Sequence, residues 1–366
     1  MLLFNDPTNH VVGLDLSEHV FRLVEIRRSG FMRRTLRLHR YTEERIPDGL
    51  IVAGEFKKPD LIAERLRALM KKAFGRSTTR GAVISLPETR TFIKVISIAK
   101  PEKPEMTAKA VLTEAELHIP MPLSELYIDW QALDGADAVP VGKPMAVTIA
   151  AAPKSIVDGY SATLETTGFV PVAYEIEAQA IVRSVVPAGG DGGKAVGIVD
   201  FGATRSSLIV YDRGTIQFTV SIPVSGDAVT RRIAEALKVD LQEAERTKRE
   251  CGVDAHKCGT ALWTVMEPFL SEMSGRILDA VAFYRDHFRE GRPLDEIVLC
   301  GGGANMERMD ELLSELTKVT VRRADPWANV EAGAFPLPPE IILSSTTAIG
   351  LALRQKIDKR AVKKKP

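Results

Sequence analysis

Along this chain one pattern of apolar and polar positions appears twice. Residues 11–16, Val-Val-Gly-Leu-Asp-Leu, are apolar enough for a buried strand, and residues 20–26 alternate apolar and charged side chains around a tight turn. A third strand is expected at 35–41. Residues 60–74 place Leu61, Ile62, Leu66, Leu69 and Met70 on one helical face, with Asp60 as N-cap and Gly75 as stop. A buried strand at 82–86 ends at Pro87. The stretch after it reads as a self-contained module: strand 91–98, helix 104–118, and strands 126–132 and 145–152. A helix over 154–166, a strand at 170–176 and a helix to 186 follow.

The segment from Pro187 to Gly193 carries four glycines and reads as a joint between two lobes. After it the opening pattern returns, with strands at 195–200, 207–211 and 215–222. Helices are expected at 227–237, 241–251 and 263–289, a buried strand at 295–300 and a helix at 306–316. A short strand at 319–322 and a helix at 346–354 close the chain. The division expected is 1–88 for the first lobe, 89–168 for an inserted subdomain and 169–188 for the first lobe's return and connecting helix. A linker at 189–194 leads to the second lobe, 195–343; a closing helix, 344–356, returns to the first, and a basic tail occupies 357–366.

Composition removes several alternatives. At 366 residues the chain exceeds one ordinary core and suits two lobes. Hydrophobic residues make up 45% and charged residues 27%, the balance of a globular protein. Lys and Arg total 49 against 48 Asp and Glu, a net charge of +1, so no global basic field recruits nucleic acid. The odd, small set of cysteines, Cys251, Cys258 and Cys300, suggests a reducing compartment. Cys251 and Cys258 flank His256 without the spacing of a zinc knuckle and read as ordinary thiols. The first residues lack a signal-peptide pattern, and no run approaches the ~18 apolar residues of a membrane span. The expected location is cytoplasmic, with a solvated tail that cannot insert into lipid.

The repeated element carries the candidate chemistry. In residues 12–17 and again in 198–204, an apolar strand delivers one Asp, Asp15 or Asp200, into a turn of small residues. Backbone N–H groups in such turns can face phosphate oxygens, and small side chains allow a close approach. An Asp there cannot attract phosphate; its use is to hold hydrated Mg2+. A third site is the strand ending at Cys300, which opens into Gly301, Gly302 and Gly303 ahead of a helix, where a ring or a phosphate can approach the backbone. No G-x4-G-K-[ST] or G-x-G-x-x-G motif occurs.

Two phosphate hairpins, a glycine-rich turn and a linking helix resemble the actin, chaperone and sugar-kinase superfamily. The module narrows the likeness. Residues 82–87, Ala-Val-Ile-Ser-Leu-Pro, and 113–122, Thr-Glu-Ala-Glu-Leu-His-Ile-Pro-Met-Pro, resemble the PilM family of type IV pilus assembly proteins. So do Ala151-Ala152-Pro153-Lys154 and Gly350-Leu351-Ala352-Leu353-Arg354. The resemblance implies an α/β fold of actin-like (ribonuclease-H-like) type, two-lobed, with an inserted strand–helix–strand–strand subdomain.

It also implies an ATP site with Mg2+ on Asp15 and Asp200 through water. Ser17 and Arg22 would flank the first turn; Gly202, Ala203, Thr204 and Arg205 would form the second phosphate cradle, and Gly301 to Gly303 the adenosine turn. Glu177 matches the position that holds the attacking water in relatives, and equally suits a helix-starting Glu complementing the dipole. Glu245 and Lys248 lie on the helix that flanks the nucleoside, either reaching a ribose or forming an ordinary surface pair.

Relatives carry Gly and then Ser or Thr where this chain has Ser17 and Glu18. A carboxylate ~4 Å from phosphate, at an effective dielectric of 20, is repelled by roughly 4 kcal/mol. The expectation is therefore ATP binding with at most slow hydrolysis. The implied partner is the N-terminal cytoplasmic tail of a PilN-type inner-membrane protein, giving peripheral membrane association through that partner and leaving oligomerisation open. The alternatives are a nucleotide-free scaffold of a pilus or secretion system, and an FtsA-like filament-forming ATPase.

Overall fold

The structure is a computed structural model of the chain. It describes residues 11–29, 35–75, 79–133, 135–188, 190, 192–288, 292–331 and 337–354. The basic tail, part of the glycine joint and the first ten residues lie outside this set.

In chain order the elements are β1 (Val12–Leu16), β2 (Val20–Ser29), β3 (Thr35–Arg45), β4 (Ile51–Val52), β5 (Glu55–Phe56), α1 (Pro59–Phe74) and β6 (Arg80–Leu86). Then come β7 (Phe92–Ala99), α2 (Thr107–Ala115), β8 (Leu126–Ala132), β9 (Pro144–Pro153), α3 (Lys154–Leu164), β10 (Phe169–Ile176) and α4 (Glu177–Val185). The second half holds β11 (Val196–Phe201), β12 (Ser206–Asp212), β13 (Thr215–Ile222), α5 (Gly226–Leu237), α6 (Leu241–Cys251) and α7 (Ala255–His287). It ends with β14 (Glu296–Cys300), α8 (Met309–Thr317), β15 (Val321–Arg323), α9 (Pro339–Ile342) and α10 (Thr346–Leu353).

The chain divides into two units. The first comprises Met1–Ser184, Trp327–Pro336 and Thr347–Pro366; the second comprises Val185–Pro326 and Leu337–Thr346. In the first unit the strand order is β10–β6–β1–β2–β3, in the second β15–β14–β11–β12–β13. In each, three strands run antiparallel as a meander, and two more join the first strand in parallel. The repeat read from two short turns therefore extends to the whole order of five strands.

The first core forms where α1 lays Ile62, Leu66, Leu69 and Met70 over Val12, Leu14, Leu23 and Ile84, with α3 adding Ile156, Tyr160 and Leu164. Each such side chain contributes about 1.5–3 kcal/mol on leaving water. Two details differ from expectation. The helix begins at Pro59, which lacks the N–H that a first turn leaves unpaired, so Asp60 sits inside the turn and not at the cap. That phase leaves Leu61 exposed. In the module β7–β9–β8 run antiparallel, and α2 covers Ile96, Ile98, Val147 and Ile149 with Val111 and Ala115. Its helix is shorter than expected, because residues 104–106 form a separate 3-10 turn.

Two further features were not expected from the sequence. The α7 segment bends at Gly259, where φ is 73°. Cys251 is disulfide-bonded and not an ordinary thiol, while Cys300 is free and buried. The cysteines therefore do not fix the redox compartment. No described helix is long and apolar enough to cross a membrane.

The closing helix α10 packs tightly on the first unit. A Cβ on Gly350 would fall on the Ala180 carbonyl of α4, and one on Gly13 would meet the α10 backbone at Ala348 and Ala352. Buried Glu175 fastens the same corner. Arg183 pairs with it and donates to the Gly350 carbonyl at 3.0 Å, and Arg354 lies 3.8 Å away. Gly350→Ala is expected to cost about 1–3 kcal/mol by overpacking, read as a lower urea midpoint at unchanged slope. An unchanged midpoint would show that α10 is not packed this closely.

Candidate functional site

In the first unit β1 carries Asp15 to the strand end, buried at 5% exposure. Antiparallel pairing sets it opposite Arg22, whose Nη1 lies 3.7 Å from Oδ2. Arg22 Nε is buried without a hydrogen-bond partner, an unused donor on a cation beside the turn. From β6, Ser85 Oγ donates to Asp15 Oδ1 at 3.1 Å and accepts from the Leu16 N–H at 3.1 Å. Sequence reading missed Ser85.

The turn itself is self-closed. Ser17 Oγ donates to the Val20 carbonyl at 2.6 Å, which commits its one hydroxyl proton. Glu18 Oε1 accepts from the Gly54 N–H at 3.3 Å. That amide belongs to the β4–β5 turn, which is held in turn by the Tyr160 hydroxyl on the Gly54 carbonyl (2.9 Å) and by Arg90 on the Ala53 carbonyl (3.1 Å). The carboxylate feared as a repulsive neighbour of phosphate is thus tied to a second loop. Glu177 is the first residue of α4 and is buried.

In the second unit the expected residues converge. β11 delivers Asp200, paired in register with Ser207 of β12 and with Cys300 of β14. Gly301, at φ 83°, lies so close that a Cβ there would fall on Asp200 Oδ1, and a Cβ on Gly303 would enter the Phe201 ring. The two glycines are required by these approaches, one of them also by its backbone conformation. Gly302 lies between them and is exposed.

The turn Gly202–Ala203–Thr204–Arg205 closes through the Gly202 N–H on the Arg205 carbonyl at 3.0 Å. Its carbonyls at Gly202 and Ala203 accept from Gly226 and Asp227 at 3.0 and 2.8 Å. These are the first residues of α5, which is capped by Ser225. One hydrogen bond further back lies Lys248, only 7% exposed. Its Nζ meets the Gly226 carbonyl at 3.0 Å, Thr230 Oγ1 at 2.8 Å and Glu245 Oε2 at 2.6 Å. Three acceptors match the three protons of an ammonium. Lys248 is therefore a clasp that holds α6 to α5 beneath the turn. Burial opposes ionisation of Glu245, but hydrogen bonds from Lys248 and Thr230 and the Lys248 charge outweigh it and hold its carboxyl below the ordinary value of 4.5.

Five strands in the same order twice, each set ending its first strand in an Asp-bearing turn, define an actin-like ATPase fold. The chain is similar to the MreB5 protein of Spiroplasma citri solved with AMPPNP, at 12% identity over 96% of this chain and 98% of that one, TM-score 0.58, a likeness of fold alone. It is more similar to a solved PilM–PilN type IV pilus biogenesis complex: 25% identity, TM-score 0.79, covering 94% of this chain and 98% of that one. Residues 13–356 match the family described as type IV pilus assembly protein PilM, and the chain belongs to that family.

Among curated proteins it is similar to cell division protein FtsA of Pseudomonas aeruginosa, 28% identical over 154 residues, or 36% of each chain. FtsA of Streptococcus pneumoniae is 29% identical over 189 residues, 46% of this chain and 40% of that protein. The matched stretches span well under half the length of these relatives.

Lys248→Ala is expected to loosen the α5–α6 clasp by about 1.5–3 kcal/mol, the range for hydrogen bonds to charged groups, measured by denaturant unfolding. Because the Glu245 carboxyl is depressed in the folded state, its contribution is complete above its ordinary value of 4.5 and is lost as the pH falls below that. Glu245→Gln should therefore flatten the acid limb of the stability–pH curve. An acid limb identical to wild type would remove Glu245 from the clasp.

Proposed function

We propose that the chain is a cytoplasmic ATP-binding adaptor of type IV pilus assembly, recruited to the membrane by the N-terminal tail of a PilN-type inner-membrane protein. The observation that carries the nucleotide half is the second-unit constellation. Asp200, the Gly202–Arg205 turn and the Gly301–Gly303 turn are held together by backbone contacts that leave no room for a Cβ at Gly301.

The residues fit Mg-ATP. In the second unit Asp200 would stand on the cation side through water, where bound Mg2+ would neutralise phosphate charge, and Asp15 is the corresponding acid of the first unit. Arg22 has a buried, unpartnered Nε beside the first turn and suits a phosphate oxygen. Gly202 to Arg205 would cradle phosphate, and Gly301 to Gly303 would admit the adenosine. Lys248 contributes from behind the turn by fixing α5, and Glu245 stays with it. Glu177 is the residue to orient an attacking water, with hydrolysis slow at most. Membership of the PilM family supports the pilus role, and the similar PilM–PilN complex supports a PilN-type partner. The module would supply the partner contact, since β8 is the last strand of its sheet among the described residues, where an extended peptide could add.

Isothermal titration tests the nucleotide half. Wild type should bind Mg-ATP, and Asp200→Asn should weaken binding at least about tenfold, equivalent to about 1.4 kcal/mol. Absence of heat with folded protein would instead favour a nucleotide-free scaffold, the reading suggested by the committed proton of Ser17. For the partner half, a PilN-type tail peptide on beads should retain the chain, and no retention would reject that partner. Glu177→Ala should abolish whatever slow phosphate release wild type shows; unchanged release would clear Glu177 of that role.

A further inference from the structure

The glycine turn of the second unit has most of its polar groups committed, and one side-chain acceptor beside it is left over. Gly301 donates its N–H to the Leu343 carbonyl at 3.0 Å. The Gly301 carbonyl accepts from the Ala304 N–H at 3.3 Å, and the Gly303 carbonyl from the Met306 N–H at 3.1 Å. The Gly302 carbonyl accepts from Asn305 Nδ2 at 3.2 Å. The same Nδ2 donates to the Glu340 carbonyl of α9 at 2.9 Å, so both amide protons of Asn305 are committed. Turned over, that amide would set its oxygen against two carbonyls, acceptor on acceptor, so its partners fix its orientation.

Nδ2 and Oδ1 share one rigid plane, so two bonds at the nitrogen hold the oxygen as well. Among the described residues Oδ1 accepts nothing from the protein, and it is not a buried orphan, since Asn305 is only half-buried. Gly302 beside it is exposed. A Cβ there would meet nothing within 4 Å, and its φ is not positive, so neither packing nor backbone conformation calls for glycine. What the missing side chain leaves is an open approach to the turn for a flat ring.

We propose that Asn305 reads the base, its Oδ1 accepting from the exocyclic amino group of adenine, so that the chain selects adenine over 6-oxopurine nucleotides. This deepens the nucleotide reading above, rests on it, and involves the second unit alone. Adenine carries an N6 amino donor where guanine carries the O6 acceptor. A held acceptor pairs with the first; against the second, both oxygens lose water and gain no partner. An amide free to turn would offer its N–H groups to O6 instead. Asn305 cannot do so without breaking its bonds to Gly302 and Glu340, and that makes it a specificity-determining residue.

The test is isothermal titration of the full chain in Mg2+ with ATP, ITP and purine riboside triphosphate. These carry an amino group, an oxygen and only hydrogen at position 6 of the base. Wild type should bind ATP about fivefold more tightly than purine riboside triphosphate and about tenfold or more above ITP. Asn305→Ala should bring all three nucleotides within about twofold of one another. In Asn305→Asp both side-chain oxygens accept whichever way they turn, so ATP should stay ahead of ITP even where affinity falls. A merely structural role would lower the three affinities together and leave their ratios unchanged. If Asn305→Ala does not fold, the wild-type series and Asn305→Asp decide the matter. Equal binding of ATP and ITP by wild type, unchanged ratios in Asn305→Ala, or loss of the preference in Asn305→Asp would each overturn the assignment while leaving ATP binding intact. Wild type that binds none of the three overturns the nucleotide reading and this inference with it.

Discussion

The arrangement depends on one constraint, the parallel register between the strand that bears each acid and the strand beside it. In a parallel pair the backbone hydrogen bonds fix which residues stand side by side. That register sets Asp15 next to Ser85 and Asp200 next to Cys300, and it brings the Gly301 turn against Asp200. A slip of one residue would send each acid to the opposite face of its sheet. The buried apolar runs of β1 and β11 resist that slip, since all five residues of β1 and five of the six of β11 are buried.

Around that register the polar groups serve to brace the turns. Helix α5 donates its first N–H groups to the carbonyls of the second turn, and Lys248 holds α5 from behind. In the first unit the β4–β5 turn takes the Glu18 carboxylate, and Tyr160 and Arg90 hold that turn in place. Asp212 does comparable work at the far end of β12. It is fully buried and accepts from Tyr284 at 2.5 Å and from Arg292 at 2.8 Å. Burial and the Asp212 carboxylate together push the Tyr284 phenol well above its usual range, so it remains a donor. Removing one member of such a buried set is costly because the rest are left without partners.

Most of the candidate site was legible because its signals are local. An apolar strand ending in Asp, a turn of small residues and three consecutive glycines can each be read from a few neighbouring positions. The departures at Ser17 and Glu18 were legible too, but their consequence was not. Whether Glu18 repels a phosphate depends on the Gly54 amide, 36 residues away, at a turn where Ala53 takes a positive φ that nothing in its sequence signals. Likewise Glu245 and Lys248 read as a helix-surface pair or as ribose ligands, and only Gly226 and Thr230 from another helix show Lys248 fully committed within the protein.

What the amino-acid sequence determined by itself was most of the strands and helices, the duplicated turn and the family. These follow from periodicity and residue type, which act over one or two turns of chain. What only the tertiary structure decided was which distant group meets each acid. Ser85 stands 70 residues from Asp15, and Cys300 stands 100 from Asp200. Arg354 reaches Glu175 from the last described helix. No local pattern encodes such meetings, because they arise from strand register and helix packing, where burial of the whole core selects one arrangement and side chains take the partners it provides.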